Sequence, residues 1–239
     1  MTTPSPPRLA VRGLEVAFGG LTALDGVDFD VHPGETVALI GPNGAGKTTA
    51  FNAVCGLVKP RKGTVEIDGR PAPAKTTQLL AAGVARTLQG LGLFDRLTVL
   101  DNVRVPLVAL RDPDADAKAR STIEDLGLTG LAHRPAGALP YPDRKRTALA
   151  RALATDPALL LLDEPAGGLG PGDIDALAEV LDGLHCAILL VEHHVDFVME
   201  TADRIVVLDF GRVIAAGTPE EVRNDPAVEA AYLGVEAAA

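Results

Sequence analysis

One stretch of nine residues, most of them small, has the residue types and the spacing that bind phosphate. It fits the pattern G-x-x-x-x-G-K-[ST] and reads Gly41-Pro42-Asn43-Gly44-Ala45-Gly46-Lys47-Thr48-Thr49. Small residues let the chain curl, so that several backbone N–H groups point inward at phosphate oxygens. The Lys47 ammonium adds positive charge at the β- and γ-phosphates, and the Thr48 hydroxyl is available to Mg²⁺. The stretch therefore predicts a nucleotide-binding loop.

The residues on either side of this loop favour the same interpretation. Residues 36–40 form a short apolar run that is typical of a buried strand. Residues 48–54 are typical of a helix, which Gly56 would end. A helix N-terminus beneath the phosphates contributes a favourable dipole. An ordinary glycine-rich turn is the alternative, but it does not require a strand before it and a helix after it.

A second motif places two carboxylates at the end of an apolar strand. Residues 159–162 are four leucines, and Asp163 and Glu164 follow them directly. Asp163 could hold Mg²⁺, directly or through water, beside Thr48. Glu164 points the other way and could polarise a water molecule aimed at a γ-phosphate. The alternative is a strand that ends in a solvated acidic turn, which the phosphate-binding loop makes less attractive.

Length, composition and charge restrict the class of protein. The 239 residues suit one α/β domain with a helical insertion, and 47% of them are hydrophobic. The net charge of −10 argues against a nucleic-acid groove, which needs a basic surface. Cys55 and Cys186 lie in apolar runs, so we expect buried free thiols. No apolar run approaches the ~18 residues that span a bilayer, and the start lacks a signal-peptide core. We therefore expect a cytoplasmic chain that reaches a membrane only through a partner.

Strand and helix patterns alternate over most of the chain, which predicts a parallel sheet with crossover helices. The first strands alternate like an antiparallel pair, and residues 97–153 are mostly helical, with breaks at 112–114 and 133–135. We expect strands at residues 9–18, 27–31, 36–40, 65–67, 84–88, 158–162, 187–191 and 204–208. Helices are expected at residues 76–82 and 171–183. The predicted fold is one α/β domain over residues 1–239, with a parallel-sheet core, an N-terminal antiparallel β-subdomain and a helical subdomain inserted at about residues 90–155.

Taken together, the motifs and their order resemble the ATP-binding-cassette (ABC) ATPases, from about residue 9 to residue 234. The resemblance rests on the phosphate-binding loop, Gln89, a Leu-Pro-Tyr stretch at Leu139, Asp163-Glu164-Pro165 and His193. It implies a P-loop NTPase fold, ATP and Mg²⁺ as ligands, and ATP hydrolysis that drives transport across a membrane.

The resemblance also assigns individual roles. Phe18 corresponds to the aromatic residue that stacks on adenine, although packing in the core is an alternative role for it. Gln89 corresponds to the glutamine that contacts Mg²⁺ or water and senses the membrane subunit. Glu164 corresponds to the general base, and His193 to the histidine that contacts the γ-phosphate. The neighbouring His194 is assigned no role.

Finer similarity points to the ATPases of branched-chain amino-acid importers. It is carried by Arg86-Thr87-Leu88-Gln89, Leu139-Pro140-Tyr141, residues 150–157 and the ending Glu229-Ala230-Ala231-Tyr232-Leu233-Gly234. It implies a second ATPase subunit (a different one, or a second copy of this chain), two permease subunits and, indirectly, a solute-binding protein, at the inner face of the membrane. Residues 89–100 are the expected permease-docking groove, although Leu91, Leu93 and Phe94 could equally be core.

Two segments depart from the ABC pattern. The usual signature Leu-Ser-Gly-Gly-Gln is replaced by Leu139-Pro140-Tyr141-Pro142-Asp143, and Gly170 stands where an aspartate is usual. Pro142 has no N–H, so one anion donor is lost, and Asp143 adds a carboxylate. Proline and aspartate also suit the first turn of a helix. This signature is therefore degenerate as a phosphate clamp.

The sequence leaves two alternative functions open and argues against a third. An exporter or lipid-extraction ATPase would share most of these motifs. A weakly hydrolysing regulatory subunit would explain the degenerate signature. A soluble ABC protein that acts on DNA or ribosomes would need tandem cassettes, a long coiled coil or a basic surface, and the sequence contains none of these.

Overall fold

The computed structural model describes residues 6–87 and 90–236, the side chains of 233–236 excepted, so Gln89 lies outside the described residues. The strands are β1 (Leu9–Phe18), β2 (Leu21–Val31), β3 (Thr36–Ile40), β4 (Lys62–Ile67), β5 (Arg70–Pro71), β6 (Val84–Arg86), β7 (Leu159–Asp163), β8 (Ala187–Val191), β9 (Arg204–Asp209) and β10 (Arg212–Gly217). The helices are α1 (Lys47–Val54), α2 (Val99–Ala109), α3 (Ala115–Asp125), α4 (Tyr141–Leu153), α5 (Pro171–Asp182), α6 (Val195–Thr201), α7 (Pro219–Arg223) and α8 (Pro226–Glu236).

A six-stranded sheet with the order β10-β9-β3-β8-β7-β6 forms the centre of the molecule. Only β10 runs antiparallel to its neighbour within this described sheet. Strands β3, β7 and β8 are nearly continuous buried apolar runs, as expected for parallel strands covered on both faces. Leu39 and Asp163 both pair with Val191, so the chain leaves these three strands side by side at one edge.

A four-stranded antiparallel sheet, with the order β2-β1-β4-β5, packs on one face of the central sheet. Its buried residues Leu14, Val16 and Leu24 share a hydrophobic core with Phe51 of α1. At the far end of the β1–β2 hairpin, Phe18 pairs with Leu21. The predicted antiparallel N-terminal unit is confirmed, and its second strand is longer than the expected residues 27–31.

The described residues between β6 and β7 form three α-helices, α2 to α4, all within the stretch predicted to be helical. Thr98 caps α2 by accepting a hydrogen bond from the Asp101 N–H. The fully buried Asn102 side chain bonds the backbone of Phe94, Leu97 and Thr98, which fixes the entry into the helix. Core contacts between the helices come from buried residues that include Leu107, Ile123 and Leu149.

Several local expectations were wrong. Residues 76–82 form two short 3₁₀ turns, Thr76–Gln78 and Leu80–Ala82, instead of one α-helix. Strands β5 and β10 were not expected. Cys55 is buried as predicted, whereas Cys186 is only half-buried. In the described part of the chain, no helix combines the length and the apolar character needed to cross a bilayer.

Candidate nucleotide-binding site

The phosphate-binding loop connects β3 to α1, and glycine is sterically required at both of its ends. Gly41 has φ 148°, and a Cβ atom there would lie 2.0 Å from the Leu208 carbonyl oxygen. Gly46 has φ 106°, and a Cβ atom there would lie 2.8 Å from the Ala23 carbonyl oxygen. Both conformations are unfavourable for residues with a side chain. Close packing against β9 and β2 therefore holds the loop in its curled shape.

The Lys47 side chain lies inside this loop. Its Nζ donates hydrogen bonds to the carbonyl oxygens of Gly41, at 2.6 Å, and Pro42, at 2.9 Å. Burial lowers the pKa of Lys47, and the nearby Glu164 carboxylate opposes that shift. Thr48, the next residue of α1, is exposed. The loop thus presents an ammonium group and an accessible hydroxyl at the start of one helix.

Asp163 and Glu164 leave β7 at the same edge of the sheet. Burial raises the pKa of Asp163, and the charges of Glu164 and Glu192 add to the shift. Glu164 has φ 48°, a left-handed conformation that costs a residue with a side chain roughly 1–2 kcal/mol. Its N–H donates to the Val191 carbonyl oxygen at 2.8 Å, which ties the turn to β8.

His193 follows β8, and its imidazole ring lies near the carboxylates of Glu164 and Glu192. Its Nδ1 lies 3.8 Å from Glu164 Oε1 and 3.7 Å from Glu192 Oε2. Glu192 is fully buried, and its carboxylate accepts hydrogen bonds from the backbone N–H groups of Ala166, His193 and His194. The structure therefore brings the two predicted chemical groups, Glu164 and His193, together, and it adds a buried carboxylate that braces both of their loops.

Phe18 lies at the tip of the β1–β2 hairpin and is 52% exposed, so it does not pack in the core. Leu24 of the same hairpin lies against the loop, because its Cδ2 would be 2.7 Å from a Cβ atom on Gly46. The hairpin thus connects the exposed aromatic ring to the phosphate-binding loop.

The three residues expected to dock a permease differ in exposure: Leu91 is buried, Leu93 is half-buried and Phe94 is 52% exposed.

The degenerate signature stretch forms the start of α4. Leu139 is buried and Pro140 precedes the helix, which begins at Tyr141. Pro142 and Asp143 occupy the first turn, and Asp143 forms an ion pair with Arg146. The expectation of a helix start is therefore confirmed, and the Asp143 carboxylate already has a cationic partner.

Two residues near the site were missed by the sequence analysis. Lys145 of α4 donates hydrogen bonds from Nζ to the carbonyl oxygens of Glu164, at 2.8 Å, and Pro165, at 2.6 Å. Glu192 had one usable signal, because a carboxylate directly after a buried apolar strand requires local partners. Lys145 had none, because 19 residues separate it from Glu164 in the chain.

A parallel sheet, a glycine-rich loop leading into a helix, and acidic and histidine residues at the same edge define a P-loop nucleotide-binding protein. Comparison with known proteins gives the family. Residues 24–167 match the ABC transporter family model, and residues 212–238 match the model described as "Branched-chain amino acid ATP-binding cassette transporter". The chain belongs to the ATP-binding subunits of ABC transporters.

Relatives match over nearly their whole length. The chain is 40% identical to the high-affinity branched-chain amino acid transport ATP-binding protein LivG of Escherichia coli, over 96% of this chain and 99% of LivG. It is 38% identical to BraF of Pseudomonas aeruginosa, a protein of the same description, with the same coverage. Among solved structures, the ADP conformation of the ATP-binding cassette MJ1267 superposes with a TM-score of 0.85 at 30% identity, covering 96% of this chain and 100% of that one.

Proposed function

We propose that the chain binds Mg-ATP at residues 41–49 and hydrolyses it to drive the import of branched-chain or related amino acids. Glu164 acts as general base on the attacking water, and His193 contacts the γ-phosphate. One observation carries this proposal: the loop, Glu164 and His193 leave the adjacent strands β3, β7 and β8 at one edge, with Glu164 and His193 3.8 Å apart. Phe18, exposed on the hairpin that packs on Gly46, stacks on adenine.

The residues present fit a magnesium ion. Thr48 and Asp163 supply hard oxygen donors, which Mg²⁺ prefers, and neighbouring carboxylates concentrate negative charge at Asp163. When bound, the ion neutralises charge on the β- and γ-phosphates. Thr48 and Asp163 would hold it, and the role that we predict for Gln89 is a contact with the ion or with water.

The solute assignment rests on the match of the whole chain to LivG and BraF and on the separate match of residues 212–238.

We propose that the chain is a single domain, 1–239, whose helical part spans about 90–155. It works at the inner face of the membrane with two permease subunits, a second ATPase subunit and, indirectly, a solute-binding protein. Phe94, exposed beside α2, is the residue we expect to contact a permease.

We further propose that the two ATP sites of the assembled pair are unequal. In a head-to-tail pair, each nucleotide lies between the phosphate-binding loop of one subunit and the signature of the other. The site that uses this chain's signature has Pro142 without an N–H donor, and Asp143 adds a carboxylate near the nucleotide. Losing one such donor costs about 10²–10³ in rate where it acts on the transition state. Where the second ATPase has a normal signature, the site that starts from Lys47 therefore carries most of the turnover.

Changing Lys47 to Ala tests both proposals. In the complex purified with its permeases and second ATPase, Lys47→Ala should weaken ATP binding in calorimetry and nearly abolish turnover and leucine uptake. The exposed Lys59→Ala removes the same charge and should change none of these. The corresponding lysine variant of the second ATPase should leave much of the turnover, and Pro142→Gly with Asp143→Gln should raise it. Unchanged ATP affinity in Lys47→Ala would contradict the nucleotide site, and a larger loss from the partner's variant would contradict the inequality.

A further inference from the structure

The Glu164 turn is held from outside by a lysine on another element. Lys145 lies one helical turn into α4, and its Nζ donates to the carbonyl oxygens of Glu164 and Pro165, at 2.8 and 2.6 Å. The side chain is partly buried and its ammonium lies 5.6 Å from the centre of the Tyr141 ring. Two short hydrogen bonds from a cation to adjacent carbonyl groups fix the direction of both peptide planes.

The turn needs such a support because its backbone is not relaxed. Glu164 has φ 48°, and Gly168, four residues later, has φ 74°. A Cβ atom on Gly168 would lie 3.0 Å from Tyr141 Cε1, so the first turn of α4 packs directly against this segment. Residues in sparsely populated conformations persist only where the surroundings determine them. Lys145 and Tyr141 of α4 supply those surroundings.

We propose that Lys145 is a positioning residue for ATP hydrolysis: by holding the carbonyl groups of Glu164 and Pro165, it aims the Glu164 carboxylate at the attacking water. The direction of a side chain follows from the backbone conformation of its own residue, so releasing the two carbonyl groups lets the carboxylate swing away. A misplacement of about 1 Å can cost about 10²-fold in rate. This inference rests on the proposed role of Glu164 as general base.

The test compares Lys145→Met and Lys145→Arg in the assembled complex. Lys145→Met keeps an apolar stem of similar length without donors, and its kcat should fall about 10- to 100-fold while the KM for ATP stays within about twofold. Lys145→Arg restores donors and should recover most of the kcat. Arg144→Met removes a cation from the same turn of α4, where Arg144 pairs with Asp95 at 2.7 Å, and should leave kcat unchanged.

Each outcome has a defined meaning. Wild-type kcat in Lys145→Met, with Glu164→Gln inactive, overturns the positioning role and leaves the proposed function intact. Wild-type kcat in Lys145→Met and also in Glu164→Gln overturns the proposed function itself. ATP binding in calorimetry reports folding of each variant, and if Lys145→Met fails to bind ATP, Lys145→Leu, which also lacks donors, takes its place with the same expected loss of kcat. A loss of kcat that Lys145→Arg does not recover also overturns the proposal.

Discussion

Replacing Glu192 by Gln keeps the size of the buried side chain but should loosen the two loops that its carboxylate holds. Glu192 Oε1 accepts from the Ala166 N–H at 2.7 Å, and Oε2 accepts from the N–H groups of His193, at 2.8 Å, and His194, at 3.1 Å. In Glu192→Gln one of the two oxygen atoms becomes an amide nitrogen, which cannot accept a hydrogen bond. In the place of Oε1 it faces one N–H donor, and in the place of Oε2 it faces two. At least one backbone N–H and the new amide group are then left unsatisfied.

An unsatisfied buried polar group costs about 1–3 kcal/mol. Because two arise here, we expect Glu192→Gln to lower the free energy of unfolding by about 2–6 kcal/mol. The loops of Ala166 and His193 also lose their common anchor, so turnover should fall about tenfold or more, the range of a general acid–base misalignment.

Urea unfolding of the isolated chain, followed by circular dichroism, gives the first number, and ATP turnover of the assembled complex gives the second. Glu200→Gln is the matched control, because Glu200 lies exposed on α6 a short distance along the chain. A Glu192→Gln variant within about 0.5 kcal/mol of the wild type, the usual range for surface changes, would refute the reasoning.

Three further predictions concern the same site. Asp163→Asn should stabilise the nucleotide-free chain at pH 7 by about 0.5–2 kcal/mol. The raised pKa of Asp163 means that the folded state binds this proton more strongly than the unfolded state does. The stability of the wild type therefore falls as the pH rises, and the Asn variant avoids that loss. Urea unfolding over a pH series from 7 down to 4 should show the advantage shrinking as the pH falls towards the ordinary aspartate pKa of 3.8, and an advantage that is the same at pH 7 and pH 4 would count against it. Gly41→Ala should cost about 2 kcal/mol or more, because its Cβ would meet the Leu208 carbonyl at 2.0 Å; a melting temperature equal to that of the wild type would disprove the close packing. Phe18→Ala should weaken ATP binding about tenfold in calorimetry, with Phe18→Tyr close to wild type, as expected for base stacking worth ~1–3 kcal/mol; equal ATP affinity in the two variants would exclude stacking.

The chemistry that depends on neighbouring residues could be predicted from the sequence. The loop from Gly41 to Lys47, the strand that precedes it and the carboxylates after four leucines all rest on short-range spacing. The fold class followed from the alternation of strand and helix patterns. These features are local, so the sequence contains them without knowledge of which strands pair.

Features that depend on tertiary contacts could not be predicted. Lys145 and Glu192 reach partners 19 and 26 residues away; the buried strand before Glu192 signals that its carboxylate needs partners, but no periodicity identifies which residues those are. The helix predicted at residues 76–82 was wrong for another reason: a short polar and apolar pattern does not distinguish an α-helix from consecutive 3₁₀ turns, and this segment forms two such turns. Strand β10 was missed because its half-buried residues show no clear alternation.

The central claim is that Glu164 acts as general base in the hydrolysis of ATP bound at the phosphate-binding loop. It is tested most directly by measuring ATP binding and ATP turnover on one variant. In the complex assembled with its permeases and second ATPase, Glu164→Gln should bind Mg-ATP with wild-type affinity and turn it over about 10²-fold or more slowly, as a lost general base predicts. It should also trap a closed, ATP-loaded pair, which is measured as unhydrolysed ATP that stays bound to the complex during size-exclusion chromatography. Wild-type turnover by the Glu164→Gln complex, with ATP binding intact, would contradict the account.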